Sequence, residues 1–381
     1  MEKATEINNR HLNRCKACVL PDSLPSVQID DHGVCNHCTV YREKYSAWDK
    51  NQNKREKDLK AIVNKIKGIP RRYDCLIATG GGKDSTYALY YFAKILNLKC
   101  LCVTCDNSYM SELAKKNIRN ALIASGADHV QFCINKDSIR QMMALFIKKC
   151  GDPCPVCMRY ADMFIRQTQK MFKIPVVVFG CGSRVDYKSN FPELFESGEL
   201  DFVKNVLKDS NQTPETNLMT SQSTYHYYYK IRRELISIIN RKNIHAIPVQ
   251  INLYDYLSPD YDYIFGIIGR EMGWERERGQ LHHFDCKLSK VSDYIVKLKF
   301  PELSEKALEN SQLIRMGLMD RREALKVEDE KQTSIPAFLD EYLSDLEMSH
   351  EEFHNYILNA PPLDKFRSPK RRYWRSIRKQ L

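Results

Sequence analysis

The stretch Tyr73-Asp74-Cys75-Leu76-Ile77-Ala78-Thr79-Gly80-Gly81-Gly82-Lys83-Asp84-Ser85-Thr86-Tyr87-Ala88-Leu89 decides the fold. Cys75 to Ala78 is a short apolar run of strand type, three glycines follow, and an apolar helical pattern starts after them. Successive glycines turn tightly and leave backbone N–H groups bare. A helix N-terminus directly behind them adds a partial positive end. Together they make a cradle for an anion, phosphate above all. Lys83 adds a fixed charge, and Ser85 and Thr86 add hydroxyls. The spacing is not that of a Walker A loop, because Asp84 stands where a hydroxyl residue would follow the lysine. A plain turn has no need of Lys83-Asp84-Ser85-Thr86 at a helix start.

Outward from this stretch the pattern alternates. A helix over Thr86 to Leu96 is followed by a strand from Leu98 to Cys105, a helix from Ser111 to Ser125 and a strand from His129 to Ile134. A helix over Ser138 to Lys149 and a strand from Ile174 to Phe179, ending at Gly180-Cys181-Gly182-Ser183-Arg184, continue the series. Strands alternating with helices predict a doubly wound parallel α/β sheet. Ligands of such sheets sit at the carboxyl ends of the strands, which puts the loops at Gly80, Asp106 and Gly180 round one crevice. Residues 185–223 are rich in Asn, Ser, Asp and Thr and are expected to form a long loop or lid. A helix over Lys230 to Asn240, a strand over Ile247 to Ile251 and a helix from Tyr261 to Trp274 follow. The expected division is a cysteine module and linker helix over 1–58, the α/β domain over 59–270, and a helical region over 271–381. That last region includes helices over Asp340 to Leu346 and His350 to Leu358.

The chain has 14 cysteines. Cys15-Lys16-Ala17-Cys18 and Cys35-Asn36-His37-Cys38 are two Cys-x-x-Cys knuckles sixteen residues apart. That spacing suits four thiolates round a structural Zn²⁺, with no open position. Cys154-Pro155-Val156-Cys157 stands at a helix start, where a thiol pKa is expected to fall, with Arg159 beside it. Cys286, within Leu281-His282-His283-Phe284-Asp285-Cys286, is the candidate third partner. Three cysteines would hold a 4Fe-4S iron–sulfur cluster with one iron open. A zinc site using His283, a redox dithiol or thiols in polar loops are the other readings. Cys75, Cys100, Cys102, Cys105, Cys133 and Cys181 lie in or beside apolar runs and read as small core residues.

The 381 residues carry a formal charge of +11, which suits an anionic substrate such as a nucleotide, a sugar nucleotide or RNA. Much of the excess lies between Lys365 and Lys379, with Tyr373 and Trp374. No apolar stretch of about 20 residues occurs and the N-terminus is polar, so neither a membrane span nor a signal peptide is expected, and a cytoplasmic location follows.

The Gly80-Gly81-Gly82-Lys83-Asp84-Ser85 loop resembles the PP-loop of the ATP pyrophosphatase superfamily, usually Ser-Gly-Gly-x-Asp-Ser. Gly80 stands in place of the usual serine, so one hydroxyl contact is absent unless Thr79 supplies it. The resemblance implies ATP with Mg²⁺, adenylylation of an oxygen, and displacement of AMP by nitrogen or sulfur. It makes Lys83, Asp84 and Ser85 the catalytic residues. Thr79, Gly80, Gly81, Gly82 and Thr86 line the nucleotide site, with Thr104, Asp106 and Asn107 on the adenosine side and Gly180 and Arg184 opposite. Cys15 to Asp22 and Ile29 to Cys38 look like the N-acetyl sugar amidotransferases of surface-polysaccharide and nonulosonate biosynthesis. So do Val103 to Asn107, Gly151 to Cys157 and Ile314-Arg315-Met316-Gly317-Leu318-Met319-Asp320-Arg321-Arg322-Glu323-Ala324. This implies conversion of an acetamido to an acetamidino group on an anionic sugar or sugar nucleotide. Ammonia would come from a glutaminase or cyclase-like partner. Some tRNA-thiolating PP-loop enzymes also combine a cysteine zinc site, the loop and a three-cysteine cluster, so sulfur transfer to tRNA is the alternative. A non-catalytic nucleotide-binding module is the third reading, against which Lys83-Asp84-Ser85 argues.

Overall fold

Side-chain alternation along β1 (Cys75–Ala78) explains why it lies at the centre. Cys75 and Ile77 pack with Val176, Val178 and Ile251 on one face of the sheet. Leu76 packs with Leu101, Val103 and Val177 on the other. A strand buried on both faces is the mark of a parallel sheet covered by helices on each side. In the computed structural model, residues 13–48, 51–211, 213–221, 235, 249–276, 285–303, 306–329 and 335–368 are described. Within them β1 is joined by β2 (Cys100–Asp106), β3 (Asp128–Cys133), β4 (Val177–Phe179) and β5 (Gln250–Asn252). All pairings are parallel and the order is β3-β2-β1-β4-β5. The chain winds one way from β1 to β3, then returns to the other side of β1 with β4. The order therefore reverses between β1 and β4, and a crevice opens at their carboxyl ends. That is the expected doubly wound α/β sheet.

The helices follow the expected order, with α1 (Asn36–Tyr45) and α2 (Gln52–Lys67) in front of β1. α3 (Lys83–Tyr90) starts three residues before the apolar run and passes into a π turn at Tyr91–Ile95. α4 (Glu112–Ser125) begins on the Ser111 hydroxyl, which accepts from Ala114 N, and ends at left-handed Gly126. α5 (Lys136–Cys150) and α6 (Cys154–Met171) follow.

The 185–223 segment departs from its expected irregularity. It forms a short 3-10 turn at Lys188–Asn190, then α7 (Leu200–Val206) and α8 (Pro214–Thr220). Phe191, Phe202, Val203, Val206 and Met219 are buried, so its apolar residues anchor it to the body despite the polar composition around them. α9 (Tyr261–Met272) precedes a C-terminal series: α10 (Ser289–Lys299), α11 (Ala307–Met316), α12 (Arg321–Asp329), α13 (Leu339–Asp345) and α14 (His350–Leu358). The helix expected over Lys230 to Asn240 lies almost wholly outside the described residues. His282, His283, Phe284, Tyr373 and Trp374 lie outside them altogether.

This C-terminal series does not stand apart. Leu303, Ala307 and Leu308 share a core with the N-terminal cysteines and with Phe191 and Leu194 of the insert. α13 and α14 cover α5 through Leu339, Tyr342, Leu343, Phe353 and Ile357. Cys75, Cys100 and Cys102 are buried as expected, whereas Cys133 on edge strand β3 and Cys181 beyond β4 are exposed. No helix among the described residues is long and apolar enough to cross a membrane.

Candidate active site

The glycine loop lies at the carboxyl end of β1, at the reversal of the sheet. Gly81 has φ +80°, and a Cβ there would stand 2.4 Å from Ala114 O, so both conformation and space demand glycine. Its carbonyl is held from behind by Trp274 Nε1 at 3.0 Å and Asn117 Nδ2 at 3.4 Å. Gly80 N donates to Ser85 Oγ at 3.4 Å, and Ser85 Oγ donates to Gly82 O at 3.1 Å. The N–H groups of Gly81 and Gly82 donate to nothing among the described residues. With the carbonyls tied back and these N–H groups open at a helix start, the loop is a built anion cradle. Opposite it, Gly180 presses on the start of α3, and a Cβ there would meet Asp84 O at 2.2 Å.

Lys83 is buried, and its Nζ donates to Asp84 Oδ2 at 2.9 Å and lies 4.9 Å from the Tyr261 ring centre. Tyr254, beyond β5, donates to Asp84 Oδ1 at 2.7 Å. Burial first, then the Asp84 charge, raises the Tyr254 pKa, so it remains a donor. A second carboxylate reaches the loop from far along the chain. Asp285 Oδ2 lies 3.6 Å from where a Cβ on Gly80 or Gly82 would stand. Asp285 is held by a strand-like pairing of 285–287 with 109–111: Ser111 N donates to Asp285 O at 3.0 Å and Lys287 N to Tyr109 O at 2.9 Å. Burial pushes its carboxyl up, opposed by Lys188 and Lys83. Asp84 and Asp285 are oxygen donors of the kind Mg²⁺ takes, beside a cradle for the phosphates that would share it, so the residues fit that ion.

Next to Lys83 and Asp84 opens a cavity of about 200 Å³. Gly180, Cys181, Tyr187, Lys188 and Tyr261 line it from the α/β side, and Glu309, Gln312, Leu313 and Met316 of α11 form its far wall. At roughly 30 Å³ per water it holds the volume of several waters.

The residues expected on the adenosine side lie at the end of β2. The Thr104 hydroxyl donates to Thr79 O at 3.0 Å and sits 2.9 Å from His129 Nε2, which steadies the residue before the loop. Asp106 accepts from Ser108 N at 2.9 Å. Asn107 Nδ2 reaches Cys157 Sγ at 3.2 Å and Cys286 Sγ at 3.8 Å. Two of the three candidate cysteines are thus gathered by one amide, while Cys154 Sγ lies 3.8 Å from Ser292 Oγ. Arg184 is buried: its Nε donates to Tyr41 Oη at 2.7 Å and its guanidinium lies 4.5 Å from the Trp48 ring centre. The Thr86 side chain is buried under the loop.

The cysteine electrostatics correct one expectation. Cys154 opens α6, yet burial and the neighbouring Asp152 push its thiol up to about 12. Burial and Cys286 raise Cys157 as well. Desolvation outweighs the helix N-terminus here. Arg159 does not serve the thiols either: it donates to Met219 O at 3.0 Å and Ser221 O at 2.8 Å and so anchors α8.

The N-terminal set closes tightly. The Sγ atoms of Cys15, Cys18, Cys35 and Cys38 all lie within 4.8 Å of one another, the only such group of three or more metal-type ligands among the described residues. Cys15 to Cys38 is 4.0 Å and Cys18 to Cys35 is 3.7 Å. Zn–S bonds of about 2.3 Å in a tetrahedron give sulfur separations of about 3.8 Å, so the set fits zinc. Backbone N–H groups of Ala17, Cys18 and Cys35 point at Cys15 Sγ at 3.2–3.4 Å. His37 is not one of the set. Its Nε2 lies 3.0 Å from Ser26 O, and burial lowers its pKa to about 4. Arg315 Nη1 reaches Cys18 Sγ at 3.8 Å, and Arg321 donates to the carbonyls of Cys15 and Cys18. The Ile314 to Ala324 motif thereby clamps the knuckles.

Four residues at the loop and cavity carried no sequence signal of their own: Tyr254, Tyr261, Lys188 and Glu309. Each comes from a different segment and meets the others only through the fold.

An uncharacterized protein of Methanocaldococcus jannaschii is 26% identical over 168 residues, 44% of this chain and 58% of that relative, so the chain spans little more than half of its length. Among solved structures the chain is similar to the U34-tRNA thiolase NcsA from Methanococcus maripaludis with its 4Fe-4S cluster. Identity is 13%, the TM-score is 0.31, and 91% of this chain and 97% of that one are covered. It is also similar to NMN synthetase from Francisella tularensis, at 10% identity and a TM-score of 0.30 over 61% of this chain and 99% of that one. Residues 278–380, which supply Asp285, Cys286, Glu309 and the arginine clamp on the knuckles, match the family described as LPS biosynthesis protein WbpG-like, C-terminal domain.

Proposed function

We propose that the protein is an ATP-dependent amidotransferase of surface-glycan biosynthesis, converting the acetamido group of an anionic sugar to an acetamidino group. One observation carries this reading. The cavity beside the glycine loop has the loop's Lys83 and Asp84 on one side and α11 of the LPS-biosynthesis-like segment on the other. The helix start behind the anion cradle and a segment similar to an LPS-biosynthesis domain thus line one small space.

An amide carbon is a poor electrophile, so its oxygen must become a leaving group. In this reading the open N–H groups of Gly81 and Gly82, with Lys83, hold the departing pyrophosphate of ATP. Ser85 fixes the loop's shape from within. Tyr254 and Lys83 orient Asp84, which with Asp285 would hold Mg²⁺. Held there, Mg²⁺ would neutralise phosphate charge. The sugar occupies the cavity, where Lys188 offers a cation to its acidic group. The four N-terminal cysteines would hold zinc as a structural ion. Ammonia comes from a glutaminase or cyclase-like partner, and the chemistry takes place in the cytoplasm, where ATP is available.

The test is formation of AMP and pyrophosphate from ATP with N-acetyl sugar acids and their nucleotides, with ammonium, sulfide or no nucleophile. The expected result is sugar-dependent AMP release and an ammonium-dependent amidine product. AMP release that requires RNA and sulfide would overturn the reading in favour of sulfur transfer. That alternative has one observation behind it, the shared Asn107 amide between Cys157 and Cys286. It requires iron and sulfide in protein purified without oxygen.

A further inference from the structure

The proposed adenylylation makes no use of Glu309, a charged group of the cavity. Glu309 lies in the first turn of α11 and lines the cavity with Lys83 and Asp84. The helix is fixed at that point, because Gln312 donates to the carbonyl of buried Arg184 and Asn310, Ser311 and Gln312 are themselves buried. Charged and titratable groups face Glu309 from every side: Lys83 of α3, Lys188 and Tyr187 of the insert, Tyr261 of α9, Asp293 of α10, and Lys306 at the entry to α11. Burial is the largest influence on its carboxyl, which is pushed up to about 7, with Asp293 adding to the rise and the lysines opposing it. A carboxyl balanced there takes and releases a proton near neutral pH.

Two other carboxylates line the cavity. Asp84 is clamped between Lys83 and Tyr254. Asp186 is exposed and accepts from Ser189 N at 3.3 Å.

We propose that Glu309 is the general base of the second half-reaction, taking the proton from the nitrogen nucleophile as it attacks the activated carbon in this cavity. The inference rests on the amidotransferase reading. Ammonia's lone pair forms the C–N bond, and the nitrogen becomes cationic and acidic. Its N–H bond then breaks, the electrons stay on nitrogen and the proton goes to a Glu309 carboxylate oxygen. The C–O bond to AMP breaks with its electron pair leaving on the AMP oxygen. Glu309 afterwards returns the proton to solvent. Nothing is oxidised or reduced.

The experiment compares the full-length wild type with Glu309→Gln and Glu309→Asp in two assays. Acceptor-dependent exchange of labelled pyrophosphate into ATP reports the first half-reaction. Ammonium-dependent amidine formation, followed across pH, reports the second. Glu309→Gln is expected to lose amidine formation by roughly 10²–10⁴-fold and to lower exchange by far less. The wild-type amidination rate is expected to fall as pH drops through about 7, where the carboxylate becomes protonated, and Glu309→Asp should retain that limb with partial activity. Equal loss of exchange and amidination in Glu309→Gln would overturn the base role, and so would unchanged amidination. Absence of acceptor-dependent exchange in the wild type would instead overturn the amidotransferase reading.

Discussion

The four-cysteine knuckle and the glycine-loop cavity solve opposite problems. The knuckle gathers like groups from 24 consecutive positions, Cys15 to Cys38, and closes them until no ligand position remains open. The cavity gathers unlike groups from α3, the insert, α9 and α11 and leaves space between them. Local spacing is enough to build a closed site. An open site needs the whole fold to hold its walls apart. Stability is therefore expected to concentrate in the first and chemistry in the second.

The largest effect should come from breaking the closed site. Structural zinc sites carry an apparent binding free energy of roughly 10–16 kcal/mol, so losing one thiolate costs much of the module's folding energy. Cys35→Ser is expected to abolish zinc binding by the four-cysteine set, measured by metal analysis, and to lower the unfolding temperature. A variant with a full complement of zinc and an unchanged melt would remove the contrast. Next is Lys83→Ala, expected to lower AMP formation by roughly 10²–10³-fold, as the loss of one preorganised charge-stabilising donor does. Zinc content should not change. A smaller effect, on stability alone, follows from Glu309. Its folded pKa, about 7, stands above the ordinary 4.5. The folded protein therefore holds the proton more tightly than the unfolded chain, and stability from this group is complete below pH 4.5 and declines as pH rises through 7. The decline is at most on the order of 3 kcal/mol. Glu309→Gln should flatten it, so that thermal melts of wild type and variant part between pH 4.5 and 7 and keep that separation above pH 7, with the variant the more stable.

The same contrast explains what could be read from sequence. β1, the glycine loop and the start of α3 are contiguous, and their meaning lies in residue order. The knuckles have a fixed spacing. The doubly wound parallel sheet followed from alternation of strand and helix, which needs only local periods, whereas its order β3-β2-β1-β4-β5 comes from the structure. The 185–223 segment was misleading because a few buried aromatics, Phe191 and Phe202 among them, decide its packing while many polar residues decide its composition. Thiol acidity at Cys154 was misleading because a helix start is visible in sequence and burial is not. Asp285 at the glycine loop and Glu309 in the cavity could not be located at all. Their positions depend on 285–287 pairing with 109–111 and on α11 packing beside the insert. The gathering of Cys157 and Cys286 by Asn107 is intermediate: the residues were singled out, but only the fold supplies the amide between them.

The arginine clamp has a consequence in time. Arg321 holds the carbonyls of Cys15 and Cys18, yet it is synthesised 306 residues after Cys15. At about 5–20 residues per second that is a delay of roughly 15 to 60 seconds. All four knuckle cysteines are present while the rest of the chain is still being made, but they remain unclamped until α12 emerges. The nascent protein thus passes through a stage with all four knuckle cysteines made and its cavity lacking the α11 wall, so the proposed active site is complete only once the chain has returned to the knuckles.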